Sequence, residues 1–85
     1  MIKPTIGRVV LVHRNSPFPA VKQPEAAFVA YVHSDTMINV GGFDHNGVPF
    51  AATSVPLLQD DAVPGSATTW AEWMPYQKAQ AAKAE

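Results

Sequence analysis

The chain has 85 residues, six Lys and Arg against seven Asp and Glu, and a formal net charge of -1. This length allows one small domain with a modest core, and the lack of cysteine excludes disulfides and cysteine-based zinc sites as sources of stability. The absence of a basic excess argues against a sequence-independent nucleic-acid binder, because such proteins need a positively charged face.

Short β-rich runs lie between proline- and glycine-rich breaks, a pattern that predicts strands joined by turns. The first run extends from Ile6 to His13, and its four apolar residues Val9 to Val12 predict a strand that is buried on both faces or crosses between sheets. A loop is predicted from Asn15 to Pro24. The second run covers Ala26 to His33, where β-branched and aromatic residues favour a strand over a short helix.

The third run, Met37 to Phe43, contains Gly41-Gly42, which predicts a bulge or a sharp bend. The segment Asp44-His45-Asn46-Gly47 is the clearest turn signal, because Asn-Gly supplies the positive φ angles that a tight hairpin requires. The fourth run, Val48 to Leu58, contains two prolines. It is therefore predicted to be an edge strand that is broken near Pro56.

The last elements are a short strand from Trp70 to Trp73 and a C-terminal segment rich in helix-forming residues. Pro75 suits the first position of a helix, and the segment after it is too short to be stable alone, so it is either docked or frayed. If the helix is docked on a neighbouring subunit, Tyr76 and Ala79 are the residues expected to contact it.

These elements predict a mainly β fold, either a small five-stranded SH3-like barrel or a strongly bent antiparallel sheet with a short C-terminal helix. Residues 1–74 form the predicted domain and residues 75–85 the helical or frayed tail. A small core without covalent links predicts a homo-oligomer. No apolar run approaches the roughly 20 residues of a membrane span, and the first residues lack a signal-peptide cleavage motif, so a cytoplasmic protein without a membrane partner is expected.

The histidines do not form a recognised metal-binding pattern. His13 and His33 lie at the ends of strands that could be neighbours, with Asp35 close in sequence, but no spacing matches a ligand motif and His45 lies in an exposed turn. A triad of Ser34, His33 and Asp35 is disfavoured, because neighbouring side chains on a strand point to opposite faces. The sequence therefore predicts no metal, no cofactor and no catalytic residue.

Ser34, Asp35, Thr36 and Asn39 form a polar unit next to His33 and are candidate binding residues. In one interpretation Asp35 bonds its own backbone in a tight turn, and Asn39 satisfies backbone groups across it. Turn chemistry alone then explains three of the four residues. In the other interpretation the same groups offer hydrogen bonds to a ligand or a partner.

Trp70 and Trp73 are the other candidate binding residues. Two tryptophans in so small a domain could both belong to the core, since each buries a large area. However, positions three apart in a strand lie on opposite faces, which predicts one buried and one exposed indole. An exposed tryptophan is typical of a protein interface or of stacking on a nucleobase.

Several segments of the chain carry a resemblance: Lys3-Pro4-Thr5-Ile6-Gly7-Arg8-Val9-Val10, Val32-His33-Ser34-Asp35-Thr36-Met37-Ile38-Asn39-Val40, and Thr53-Ser54-Val55. With the late tryptophans, they resemble a family of small proteins of unassigned activity encoded by tailed bacteriophages and prophages. The resemblance covers most of residues 3–73 and is most specific at the His-Ser-Asp-Thr turn. The chain departs from the family pattern Trp-His-Trp-Pro at Trp70-Ala71-Glu72-Trp73, so no role of that intervening histidine is carried over.

The resemblance implies a phage or prophage protein in the cytosol of a bacterial host. The expected function is that of a non-enzymatic binding protein, which acts on a host protein or sequesters a small nucleotide-like signal. A structural or assembly component of the phage particle is the alternative, and a nucleic-acid accessory protein is a third. Fold analogy alone does not decide among them.

Overall fold

A computed structural model of the protein describes residues 1–16, 23–60 and 62–84. The elements are β1 (Val9–His13), β2 (Glu25–Ser34), β3 (Met37–Phe43), β4 (Pro49–Leu58), β5 (Trp70–Trp73) and α1 (Pro75–Ala84). The five predicted strands and the helix beginning at Pro75 are therefore confirmed. Residues 17–22 of the predicted first loop and residue 85 of the predicted tail lie outside the described residues.

The five strands close into a barrel. Strands β1 to β4 follow one another as antiparallel neighbours, and β5 pairs antiparallel with β1 and parallel with β4. The barrel alternative of the predicted fold is thus confirmed. A closed barrel has no edge strand, so the prediction that β4 lies at an edge is wrong.

The two prolines of β4 fit this closed sheet because they lie where ladders begin or change. Pro49 is the first residue of the strand, a position where a missing N–H is tolerated. Pro56 opposes Met37 at the end of the β3 ladder, and pairing with β5 begins one residue later, at Leu57. The strand continues through Pro56 instead of breaking there.

The interior of the barrel is filled by alternate residues of all five strands. Val10 and Val12 of β1 point inward, whereas Val9, the first residue of the strand, remains exposed. Each fully buried aliphatic side chain stabilises the fold by about 1.5–3 kcal/mol before entropy is subtracted. The buried cluster comprises Val10, Val12, Ala27, Val29, Ile38, Val40, Val55, Leu57, Ala71 and Trp73.

Gly42 allows the backbones of β2 and β3 to approach each other closely. A Cβ atom at this position would collide with the carbonyl oxygen of Ala26 and would lie 2.7 Å from Cα of Ala27. The ladder of β3 shows no register shift at Gly41 or Gly42, so the bulge, one of the two alternatives predicted there, is wrong. The hairpin predicted at Asp44 to Gly47 is present, with Gly47 at a φ of 79°.

An arginine covers an aromatic ring at each end of the barrel. The guanidinium of Arg14 lies 4.0 Å from the ring centroid of Phe50, and that of Arg8 lies 5.6 Å from the ring of Trp73. Arg14 also donates two hydrogen bonds, of 2.6 and 2.9 Å, to the carboxylate of Glu25. These bonds raise the pKa of Arg14 above its ordinary value.

The helix α1 is docked on the barrel through its first turn. Gln77 donates a 3.2 Å hydrogen bond to the carbonyl of Val9, and Lys78 contacts Glu72 at 3.0 Å. Tyr76 and Ala79 are exposed, and their predicted contact with a neighbouring subunit stays a prediction. Within the described residues, no helix has the length and apolar character that crossing a membrane requires.

Candidate functional site

A bulge in β4 exposes polar groups next to Asn39. Ile38 opposes Val55 and Val40 opposes Ala52, so two residues of β4 lie opposite the single residue Asn39. The second of these two, Ser54, has a left-handed φ of 53°, which is uncommon for a residue other than glycine. Its N–H is not used by the ladder and instead donates a 2.8 Å hydrogen bond to Oδ1 of Asn39.

The same oxygen of Asn39 fixes the orientation of His33. Nε2 of His33 lies 2.9 Å from Oδ1 of Asn39, and this oxygen already accepts from Ser54, so Nε2 must carry the donated proton. In the neutral ring, Nδ1 is then a hydrogen-bond acceptor. The ring of Tyr31 meets that of His33 edge to face, with centroids 4.9 Å apart. We refer to Tyr31, His33, Asn39 and Ser54 as the Asn39 platform.

The pairing of β2 with β3 is irregular beside this platform. Register shifts occur between Val29 and Tyr31 and again between Val32 and Ser34. The bulge of β4 is the remaining register shift between the described strands. All of these shifts therefore lie close to Asn39 in the sheet. Bulges and left-handed residues concentrate next to functional sites, where they redirect side chains.

The turn between β2 and β3 is closed by Ser34 and not by Asp35. Oγ of Ser34 accepts a 3.3 Å hydrogen bond from the N–H of Thr36. This is the local bond that a hydroxyl makes two residues along the chain. The predicted bond from the Asp35 side chain to its own backbone is therefore wrong. The Asp35 carboxylate is exposed. Asp35 contributes to the fold through its backbone carbonyl, which accepts a hydrogen bond from Gln59.

Gln59, the residue after β4, is buried and holds this end of the barrel together. Its Nε2 donates to the carbonyls of Ile2 and Asp35, at 2.6 and 2.9 Å. Its Oε1 accepts from the N–H of Ile2 and from the indole of Trp73, both at 3.1 Å. The alternation of Val55, Leu57 and Gln59 was the signal that could have placed this residue inside.

Both tryptophans are buried, at 1–2% exposure, so the interpretation that places both indoles in packed positions is confirmed, and the alternative with one exposed indole is wrong. Trp73 points into the barrel. Trp70 lies on the outer side of β5, but His13 stacks on its indole at 3.9 Å and its Nε1 donates to the carbonyl of Ser16. Neither indole is available to a ligand in this structure, although both were candidate binding residues.

His13 belongs to a hydrogen-bonded chain that joins β1, β5 and α1. Its Nε2 lies 2.7 Å from Oε2 of Glu72, whose other oxygen accepts from Lys78 at 3.0 Å. Partial burial by itself raises the pKa of Glu72. The hydrogen bonds from Lys78 and His13 outweigh that effect and hold the pKa below its ordinary value. This chain stabilises the closure of the barrel.

His13 and His33 lie far apart. β1 and β2 are antiparallel, so His13 at the end of β1 and His33 near the end of β2 lie at opposite ends of the barrel. The described residues do not bring three His, Asp or Glu side chains together in an arrangement suited to a metal ion.

An open depression of about 980 Å³ lies at the end of the barrel away from the Asn39 platform. Its lining includes His13, Arg14, Glu25 and Asp44. Arg14 and Glu25 bind each other there, as described above. Asp44 accepts hydrogen bonds from the N–H groups of Val48 and Asn46, and these lower its pKa. The charged groups of the depression are therefore already engaged in structural contacts.

Of the seven candidate residues, the structure brings His33 and Asn39 into direct contact, with Ser34, Asp35 and Thr36 in the adjoining turn. Trp70 and Trp73 lie elsewhere, in packed positions. Sequence reasoning missed Tyr31 and Ser54.

Comparison with protein families, with curated proteins and with solved structures finds no match to this chain.

Proposed function

We propose that this protein is a non-enzymatic binding protein, and that the Asn39 platform recognises a protein partner. The observation that carries the proposal is the sharing of one oxygen of Asn39 by Ser54 and His33. This arrangement holds hydrogen-bonding groups in a fixed geometry on an exposed surface. A surface organised in advance loses less conformational entropy on binding than a flexible one.

The shape of the surface favours a protein over a small ligand. Small-molecule sites are concave and bury most of the surface of their ligand. The platform instead lies on the outer side of a closed barrel, with Tyr31 54% exposed. Tyrosine is enriched among residues that contribute strongly to protein interfaces. A host protein is therefore the better of the two expected partners, and a nucleotide-like signal the weaker.

The non-enzymatic part of the proposal rests on how His33 is used. Its Nε2 is bonded to an amide oxygen and not to a hydroxyl that it could activate. A general base must lie within hydrogen-bond reach of the proton that it removes. The cytosol of a bacterial host and a phage origin remain part of this proposal through the family resemblance alone.

The proposal is tested by affinity capture from a bacterial lysate. The wild-type chain, Tyr31→Ala and His33→Ala are immobilised in equal amounts, and retained proteins are identified by mass spectrometry. Tyr76→Ala is the matched control, because Tyr76 is 71% exposed on α1, outside the platform. The expected result is a protein retained by the wild type and the control but lost from both platform variants.

The captured protein is then purified and its affinity for the four chains is measured by calorimetry. Equal affinity for the wild type and both platform variants would contradict the proposal. A thermal-shift series with nucleotides and cyclic nucleotides tests the other expected partner class. A saturating nucleotide at 100 times its dissociation constant would add about 2.7 kcal/mol of stability, and that result would favour the small ligand.

A further inference from the structure

The outer face of strands β1 to β4 has no charge at its centre. Within these described strands Glu25 is the one charged residue, and it lies at the end of β2, bound to Arg14. Soluble domains ordinarily contain about 25% charged residues. Depletion of charge is the compositional signal of an interface core, and a charged rim such as Glu25 with Arg14 commonly surrounds it.

Four apolar residues form a continuous row across this face. Val9 opposes Phe28, Phe28 opposes Gly41, and Gly41 opposes Ala51. Val9 and Phe28 are 43% and 48% exposed. The ring of Phe28 leans over β3, because its Cζ lies 3.5 Å from the position that a Cβ of Gly41 would occupy. We refer to these four residues as the apolar row.

We propose that a second copy of this chain covers the outer face, apolar row against apolar row, in a two-fold symmetric dimer. The charged groups of a charged partner would lose their hydration against this face and would find no group of opposite charge at its centre. A second copy presents the same uncharged surface, so the association brings no like charges together at its centre. A two-fold interface uses the same patch on both subunits, which this surface permits.

The relief of the apolar row suits this symmetry. Its large half, Val9 and Phe28, lies on β1 and β2, and its small half, Gly41 and Ala51, lies on β3 and β4. A two-fold axis that runs along the strands between β2 and β3 sets the large half of one copy against the small half of the other. The two Phe28 rings, which both lean toward β3, meet near that axis.

The available area predicts a weak dimer. Phe28 and Phe43 are each about half exposed, and each therefore offers roughly 75–125 Å² of its aromatic surface, whereas Tyr31 remains part of the Asn39 platform. With Val9 and the small residues between them, one copy contributes roughly 400 Å². Two copies then bury about 800 Å², less than a standard stable interface, so the dimer is expected to be weak and to dissociate in the micromolar range.

The same axis has a consequence for the proposed function, although the dimer itself does not depend on it. A rotation about an axis along the strands keeps corresponding strand ends on the same side. The Asn39 platforms of the two copies therefore lie at one end of the dimer. A partner with two equivalent surfaces would bind both platforms more tightly than one, because its second contact is intramolecular.

The dimer is tested by sedimentation velocity of the purified chain over a dilution series. The expected result is a species of twice the 9.1 kDa chain mass that dissociates on dilution. Phe28→Lys and Ala51→Lys are each expected to give a monomer at every concentration, with circular dichroism confirming the fold. Ala51 is exposed and small, so its variant tests the interface even if Phe28→Lys fails to fold. Tyr76→Lys is the control and should remain dimeric.

Mixing opposite charges tests the axis. Phe28→Lys and Phe28→Asp, each monomeric alone, are expected to form a dimer when mixed in equal amounts, because the two positions meet near the axis. A wild-type monomer at high micromolar concentration would overturn the proposal, and so would a dimer that survives both Phe28→Lys and Ala51→Lys. The Asn39 platform is intact in the monomeric variants. Capture of the partner by these variants therefore tests the proposed function separately from the dimer.

Discussion

The indole Nε1 of Trp73 donates a 3.1 Å hydrogen bond to Oε1 of Gln59, inside the end of the barrel where the chain also places Ile2 and Asp35. Trp73 brings one of the two largest buried side chains and one polar N–H that requires a partner. Gln59 supplies that partner and uses its remaining atoms to bind two backbone segments. A single buried amide thus joins β5, the β2–β3 turn and the residues before β1.

We expect Gln59→Leu to lower the free energy of unfolding by about 2–4 kcal/mol. Leucine fills a similar volume, but the indole N–H and the carbonyls of Ile2 and Asp35 lose their partners, and each unsatisfied buried group costs about 1–3 kcal/mol. Urea denaturation followed by tryptophan fluorescence measures the loss. Gln77→Leu is the control, since Gln77 bonds the backbone at a more exposed position. An unchanged midpoint for Gln59→Leu would contradict this account.

We expect Gly42→Ala to destabilise the fold by about 3 kcal/mol or more, or to prevent folding, because overpacking at rigid backbone forces strands apart. The added Cβ would collide with Ala26 and Ala27, whose backbone cannot move without disrupting β2. Gly41→Ala is a matched control at the next residue, where the nearest atom is the Phe28 ring at 3.5 Å, an ordinary contact. Comparable melting temperatures for the two variants would show that the close approach is not rigid.

The positions of the strands could be predicted because the signals are local. The apolar and β-branched runs, such as Val9 to Val12, and the Asn46-Gly47 turn depend only on neighbouring residues. The closure of the barrel depends on β5 pairing with β1 and with β4, contacts that are distant in sequence. The two prolines of β4 predict an edge strand, because no local signal reports these distant pairings.

The candidate site was predicted in part for the same reason. The turn residues and Asn39 stood out by composition, whereas Ser54 joins them only through a bulge whose position depends on the pairing of β3 with β4. The exposure of a tryptophan is likewise set by tertiary contacts. Strand alternation correctly separates the faces of Trp70 and Trp73, but it carries no information about His13, which covers Trp70 on the outer side.

The lowered pKa of Glu72 predicts a specific loss of stability in acid. A carboxyl group whose pKa is lower in the folded state stabilises the fold at pH values above its unfolded pKa. That contribution is lost as the pH falls from the ordinary carboxyl range through the lowered value. We therefore expect the wild type to lose stability below about pH 4.5, and Glu72→Gln to show a flatter dependence there.

Urea midpoints measured at several pH values between neutrality and pH 3 test this expectation. Asp35→Asn is the control, because no hydrogen bond to its carboxylate is found among the described residues. Its acid profile should follow that of the wild type. A Glu72→Gln profile parallel to the wild type would mean that the bonds to His13 and Lys78 do not couple protonation to folding.

We expect the chain to show no measurable affinity for random-sequence duplex DNA at physiological salt. Non-specific binding depends on several phosphate contacts from Lys and Arg. The two arginines, Arg8 and Arg14, instead cover aromatic rings at the two ends of the barrel, and Lys78 binds Glu72. Moving either arginine to a phosphate would uncover a ring and, for Arg14, break its two bonds to Glu25. Fluorescence anisotropy of a labelled duplex measures the affinity. Submicromolar binding at about 150 mM salt would show that these arginines leave the barrel readily, and it would favour a nucleic-acid partner over a protein.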